Sequence, residues 1–315
     1  MINAISQQLQ SIDQYPTPGY NDLCQALAQH HHIDSDWILP GNGAAELLTW
    51  TGRELATQPQ TILLTPAFND YARALTAFGA QVERYPFIDH QGQLQDLEQV
   101  LAKAPATAGL LINNPHNPTG QLFDRQLLIN CLKKFALVVV DESFIDFVPP
   151  AQSLVDIVTR YPNLIIIRSL TKFYSLPGLR VGYCISHPDR LQQWQVWRDP
   201  WPVNHLAEVA AIAAIADQDF IDRTWQWYSL AQPQMFAGLQ AIPGLQVYPS
   251  AANFFLFRTS QQVPDLQRQL LQKFQILIRD CLSFPELGAN YGRVAVKSIA
   301  DNQKLLVALA QIFNS

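Results

Sequence analysis

The strongest constraint on this chain is a series of short, continuously apolar runs alternating with helical patterns between residues 61 and 186. Thr61–Thr65, Gln81–Tyr85, Ala108–Asn113, Ala136–Asp141, Leu164–Arg168 and Val181–Ser186 read as strands. Asn69–Phe78, Leu94–Ala102, Gln121–Phe135 and Leu154–Tyr161 read as the helices between them. Strands with no polar alternation are buried on both faces, and a helix between consecutive strands is the usual crossover of a parallel sheet. The expected fold class is therefore α/β, with a large, doubly wound, mostly parallel sheet. Such sheets bind ligands at the carboxyl ends of their strands. Three polar sets fall at those ends: Asn113 to Gly120, Asp141-Glu142, and Ser169 to Lys172.

The last set belongs to S-L-T-K-F-Y-S-L-P-G-L-R-V-G, residues 169–182. A lysine just past a buried strand lies near apolar surroundings, which lower an amine's pKa toward the nucleophilic range. Ser169, Thr171 and Arg180 offer hydroxyls and a forked cation, the groups that hold a phosphate. Upstream, Leu39-Pro40-Gly41-Asn42-Gly43 opens a helix from Ala44 to about Ala56, and a glycine turn before a helix exposes N–H groups to an anion. The chain has no G-x-G-x-x-G after its first strand, which removes a dinucleotide dehydrogenase.

Beyond Arg190 the pattern changes. A Trp-rich stretch, Gln192–Arg198, and two long helical stretches at His205–Ala216 and Phe220–Gln240 precede short strands at Leu245–Val247, Asn253–Arg258, Ile276–Arg279 and Arg293–Lys297. Helices at Val263–Lys273 and Asp301–Phe313 complete a smaller α+β lobe. The domain expectation is 33–225 for the large unit, with 1–32 and 226–315 forming the small one. Arg279 and Arg293 interrupt apolar strands, and an arginine so placed needs an anionic partner.

With 315 residues, 48% hydrophobic and 15% charged, the chain is long enough for two lobes. A net charge of −5 without a basic run gives no face for nucleic acid. No apolar run approaches the roughly 18–20 residues of a membrane span. Met1–Gln10 has neither the form of a secretory signal nor that of a transit peptide. Cys24, Cys131, Cys184 and Cys281 lie far apart, as expected for free thiols in a reducing cytoplasm. His30-His31-His32 cannot all turn to one metal from a helix, so no metal site is expected; they read as solvated cations at a helix end.

Taken together, N-N-P-H-N-P-T-G, V-V-V-D-E-S-F-I-D-F, R-S-L-T-K-F-Y-S-L-P-G-L-R-V-G-Y and I-L-I-R-D-C-x-S-F-P-E-L-x-x-x-Y-x-R-V-A-V-K resemble the fold-type I pyridoxal-phosphate enzymes of the class I/II aminotransferase family. The similarity runs from about Tyr15 to the C-terminus, within the branch of L-threonine-O-3-phosphate decarboxylase and histidinol-phosphate aminotransferase. The last motif, W-I-L-P-G-N-G, and the W-P-V-N at Trp201–Asn204 look closer to the decarboxylase. The resemblance implies pyridoxal 5'-phosphate held as a Schiff base on Lys172, with Asp141 on the pyridinium nitrogen, Asn117 on the ring hydroxyl and Phe68 stacked on the ring. It implies Gly43, Ala44, Ser169 and Arg180 on the cofactor phosphate, and Tyr15 reaching the cofactor phosphate of a neighbouring subunit in a homodimer. Arg293 would clamp a substrate carboxylate and Arg279 a substrate phosphate, so the partner is a small phosphorylated amino acid. Decarboxylation of threonine phosphate, a step of cobalamin biosynthesis, is the expected reaction. Transamination of histidinol phosphate or an aromatic amino acid is the alternative. Phe144 stands where the aminotransferases usually carry a tyrosine. Family members generally carry an arm before the Tyr15 turn, whereas Met1 stands close to that turn here. A catalytically idle cofactor-binding protein is the alternative of another class.

Overall fold

The computed structural model describes residues 1–89 and 91–314. Seven strands form the large sheet: β1 (Ile38–Gly41), β2 (Thr61–Thr65), β3 (Val82–Pro86), β4 (Gly109–Asn113), β5 (Leu137–Asp141), β6 (Leu164–Ser169) and β7 (Gly182–Ser186). Their order is β1-β7-β6-β5-β4-β2-β3. All neighbours pair parallel except at β7, which runs antiparallel to both β6 and β1. Each central strand is buried throughout, as an apolar run with no polar alternation requires. Successive residues divide between two cores. Leu110, Ile112, Val138, Val140, Leu164 and Ile166 face one, and Leu111, Leu137, Val139, Ile165 and Ile167 face the other.

The first face is covered by α2 (Asn21–His31), α5 (Leu97–Ala102), α6 (Arg125–Lys134) and α8 (His205–Ile215). The second takes α3 (Gly43–Leu55), α4 (Asn69–Thr76) and α7 (Pro188–Trp197). The sheet is thus wound on both sides. Gly52 of α3 makes this packing close, since a Cβ there would stand 2.3 Å from the Ala74 carbonyl oxygen of α4.

The smaller sheet is antiparallel, ordered β10 (Arg279–Asp280), β11 (Tyr291–Ala295), β9 (Phe254–Thr259), β8 (Leu245–Val247). One face packs on α9 (Gln218–Gln240), α10 (Val263–Phe274) and α11 (Ile299–Phe313). The other carries Tyr248, Phe284 and Tyr291 toward Ile88 and Leu94 of the large lobe.

Several elements differ from expectation. The helix expected over 154–161 is a 3-10 stretch, Val155–Arg160. The strand expected over 276–279 shrinks to Arg279–Asp280. β1 and a short N-terminal helix, α1 (Ile2–Gln8), have no periodicity long enough to announce them. The sequence groups 1–32 with the small lobe, yet Tyr20, Leu23 and Leu27 pack into the large sheet's core because α2 lies on α8. The expected boundary near 225 falls inside α9, which contributes Tyr228 to the large core and Met235 to the small one. Of the three histidines, His30 and His32 are exposed as expected, but His31 is not a solvated cation. His31 meets the Tyr183 hydroxyl at 2.7 Å, and burial, with Arg168 nearby, pushes it down to about 2. It is therefore neutral. Among the described residues no group of side chains could hold a metal ion, and no helix is long and apolar enough to cross a membrane.

Candidate active site

Parallel pairing brings the three polar sets to one edge. Asn113 stands opposite Asp141 in the β4–β5 register, and Ser169 ends β6 next door. Asp141 is buried and held on both oxygens. Its Oδ1 accepts from the Ser143 backbone N–H at 2.9 Å and from the Ser143 hydroxyl, and its Oδ2 accepts from the Tyr71 hydroxyl at 2.6 Å. Burial pushes its carboxyl above the ordinary range, while the Ser143 and Tyr71 hydrogen bonds pull the other way. A cation meeting this carboxylate would remove the penalty of burial.

The loop after β4 is fixed by its own side chains. Asn113 Nδ2 donates to the Asp141 carbonyl at 2.6 Å, and the Asn117 N–H donates to Asn113 Oδ1 at 2.7 Å. Arg293 of β11 in turn donates to Asn117 Oδ1 and lies over the Phe254 ring, 4.7 Å from its centroid. The small lobe therefore touches the floor of the site directly. Phe68 precedes α4, 40% exposed, edge-on to Tyr71 at 5.6 Å. That leaves its ring beside the group that holds Asp141.

The N-terminus of α3 forms a second pole. Gly43 has φ +72°, and a Cβ built there would stand 2.6 Å from Nη2 of Arg180. Only glycine lets that guanidinium lie against the first turn of the helix. Gly182, opposite Ser169 in β7, plays a similar part, because its Cβ would meet the Ala44 nitrogen at 2.9 Å. Ser169 Oγ and Thr171 Oγ1 are 2.8 Å apart. Gly43, Ala44, Ser169 and Arg180 are thus brought together around helix N–H groups, two hydroxyls and a guanidinium, a donor set that fits a phosphate.

Lys172 lies between these poles and faces an open cavity, with Nζ 5.6 Å from the Phe144 ring centroid. Although the residue has solvent at the cavity mouth, burial lowers its ammonium below the usual lysine range. Asp141 opposes that shift, and Arg293 and Arg180 reinforce it. The cavity, about 780 Å³, is also lined by Arg279 and Arg293, which stand opposite one another in the β10–β11 register. Arg279 is exposed and Arg293 half-buried, so neither sits sealed in a strand as the sequence suggested. Among the described residues, Lys172, Arg180, Arg279 and Arg293 have no carboxylate within ion-pair distance. Four uncompensated cations around one buried carboxylate make a site for anions. Tyr15 is apart from this group in its own chain, 79% exposed, with its ring tilted against Trp201 at 4.6 Å between centroids.

The class of protein follows from this frame. The family model for class I and II aminotransferases matches residues 2–312, and the chain belongs to that family. It is an enzyme of this pyridoxal-phosphate-dependent group, with pyridoxal 5'-phosphate as its cofactor. Among particular relatives, a threonine-phosphate decarboxylase of Salmonella typhimurium is 37% identical over 98% of this chain and 86% of its own length. A histidinol-phosphate aminotransferase of Methanothermobacter thermautotrophicus is 28% identical over 99% of this chain and 84% of its own. The crystal structure of the histidinol-phosphate aminotransferase from Clostridium acetobutylicum superposes with a TM-score of 0.90 at 28% identity, covering 99% of this chain and 94% of that one.

Sequence reasoning missed Tyr71, Ser143 and Asn113 as supports of Asp141. Tyr71 had a faint signal, three residues after Phe68 on the same helical face. Ser143 follows Asp141 by two, the spacing at which a carboxylate caps its own turn.

Proposed function

We propose that this enzyme decarboxylates L-threonine O-3-phosphate to (R)-1-aminopropan-2-yl phosphate, in cobalamin biosynthesis. The observation that carries the reading is the Arg279–Arg293 pair, two neighbouring guanidinium groups without a carboxylate, opening on the cavity of Lys172. A substrate with a carboxylate and a phosphate a few bonds apart supplies an anion for each.

Lys172 is the anchor for the cofactor's aldehyde carbon, and its depressed basicity suits it to give up and regain a proton. Asp141 would keep a proton on the cofactor's pyridine nitrogen, Asn117 would donate to its hydroxyl oxygen, and Phe68 would pack against it. Gly43, Ala44, Ser169 and Arg180 hold the cofactor phosphate. When bound, pyridoxal phosphate supplies a sink for the electron pair left at Cα. Arg293 would hold the substrate carboxylate and Arg279 its phosphate, and this grip would set the orientation of the substrate in the cavity. Lys172 would deliver to Cα the proton that replaces the carboxylate lost as carbon dioxide. Exposed Tyr15 would complete the phosphate site of a second copy, which makes the working unit a homodimer.

A second reading is supported by the histidinol-phosphate aminotransferase relatives. It is transamination of histidinol phosphate, with a C–H bond at Cα in the reacting position. The reactions separate in one assay. Holoenzyme given L-threonine O-3-phosphate should release carbon dioxide and the phosphorylated amine in equal amounts. Amine transfer to 2-oxoglutarate without carbon dioxide overturns the decarboxylase.

A further inference from the structure

The substrate side of Lys172 holds a polar group that the two-arginine grip does not use. The 780 Å³ cavity and a neighbouring one of about 420 Å³ share four walls: Lys172, Asn253, Lys297 and Asp301. Asp301 is committed to capping α11, accepting from the Ser298 hydroxyl at 2.7 Å. Lys297 reaches out from the end of β11, exposed. Asn253 differs from Asp301 in being unengaged and from Lys297 in being half-buried, and its backbone is fixed in place. Its carbonyl accepts from the Val296 N–H at 2.8 Å, the Ala252 carbonyl before it accepts from Tyr228 at 3.0 Å, and the Ala251 N–H donates to Gly120 at 2.8 Å. Gly120 permits that approach, since a Cβ there would stand 2.0 Å from Ser250 Oγ.

The backbone of 250–253 is thus pinned between the two lobes, while the Asn253 carboxamide has no hydrogen-bond partner among the described residues. A half-buried carboxamide with no partner among the described residues, on a rigid segment of the same cavity wall as Lys172, is preorganised for a ligand. Its surroundings say which ligand. Lys172, Arg279, Arg293 and Lys297 outnumber Asp301 around the cavity, so its occupant is anionic. The amide's own donors then face an anionic oxygen.

We propose that Asn253 is a further substrate-orienting residue: its carboxamide donates to an anionic oxygen of the bound phosphorylated amino acid, on the Lys172 side of the arginine pair. The assignment rests on the proposed function for the class of ligand. It adds a third point of contact, and three points fix the rotation about Cα that two arginines on adjacent strands leave free.

The test uses the full-length holoenzyme and L-threonine O-3-phosphate, with the dissociation constant read from the change in cofactor absorbance. Asn253→Ala should weaken binding about tenfold. Asn253→Asp, which keeps the shape but brings a carboxylate to the anion, should weaken it by about a hundredfold. Both variants should keep the resting absorbance spectrum and the melting temperature of the parent. Wild-type constants in both variants overturn the assignment. So does tighter binding in the aspartate variant, because Asn253 would then serve the lysines rather than the ligand. Absence of carbon dioxide release by the wild type breaks the proposed reaction instead. If the wild type also shows no absorbance change with that compound, the same variants are read with L-histidinol phosphate. Unchanged constants there overturn the assignment as well.

Discussion

The floor and the wall of this site are built on opposite plans. On the floor, at the strand ends of the large sheet, the groups around Asp141 are partnered within the chain, while Asn114 Nδ2 and Thr65 Oγ1 beside them are buried without a hydrogen bond among the described residues. Asp141 is held by Ser143 and Tyr71, Asn113 by the Asp141 carbonyl, and Asn117 by Asn113. On the wall, from the small lobe, among the described residues Arg279 has only a 3.3 Å hydrogen bond to Ser283, Arg293 reaches across to Asn117, and the Asn253 carboxamide has no partner. A satisfied network is rigid and holds a cofactor in one pose. Unsatisfied cations hold binding energy in reserve for a ligand. The difference separates what the site keeps from what it exchanges.

Lys172→Ala should have the largest effect, because it removes both the anchor and the proton carrier. Turnover should fall by about 10⁴-fold, with loss of the protein-bound cofactor's absorbance band. A variant that keeps the band would break the assignment of the floor. Arg293→Met should come next, lowering kcat/KM by about 10²–10³-fold. The resting spectrum should stay intact, since the wall serves the substrate. Tyr71→Phe probes the floor more gently. Removing one hydrogen bond from Asp141 should raise its carboxyl further and cost about tenfold in kcat, with KM little changed.

The smallest effect concerns pH. His116 sits buried in the floor, its ring nitrogen 2.8 Å from the Thr119 hydroxyl, and burial pushes it down to about 3 from 6.5. Below pH 6.5 the unfolded chain binds a proton that the folded one refuses. This histidine's contribution to stability is therefore whole above 6.5 and lost as the pH falls toward 3, by less than about 1.4 kcal/mol over the first unit. Denaturant titrations between pH 7 and 5 should show a shallower fall for His116→Asn than for the parent. An unchanged slope would mean that His31, half-buried against Tyr183, carries the dependence.

Much of the floor was legible beforehand because it is local. Asp141, Asn117 and Ser169 to Lys172 follow apolar runs directly, and a parallel sheet must gather such ends along one edge. Strand limits were readable for the same reason: a fully buried strand has no polar residue until it leaves the core. Elements without periodicity stayed hidden. β1 is four residues containing a proline and a glycine, and 154–161 has helical composition yet winds only as a 3-10 stretch. His31 looked like a solvated cation because nothing near it in sequence reveals Tyr183, 152 residues away.

By itself, then, the sequence determined the winding of the large sheet, the residues at its strand ends and the family, since these depend on composition and order along short stretches. Only the tertiary structure decided that Arg180 lies against Gly43, that Tyr71 holds Asp141, and that Arg279 faces Arg293 with no carboxylate between them. It also decided that Asn253, 81 positions beyond Lys172, shares its cavity. Those relations cross between segments far apart in the chain, and their distances are set by how two sheets and their helices pack, which no local pattern encodes.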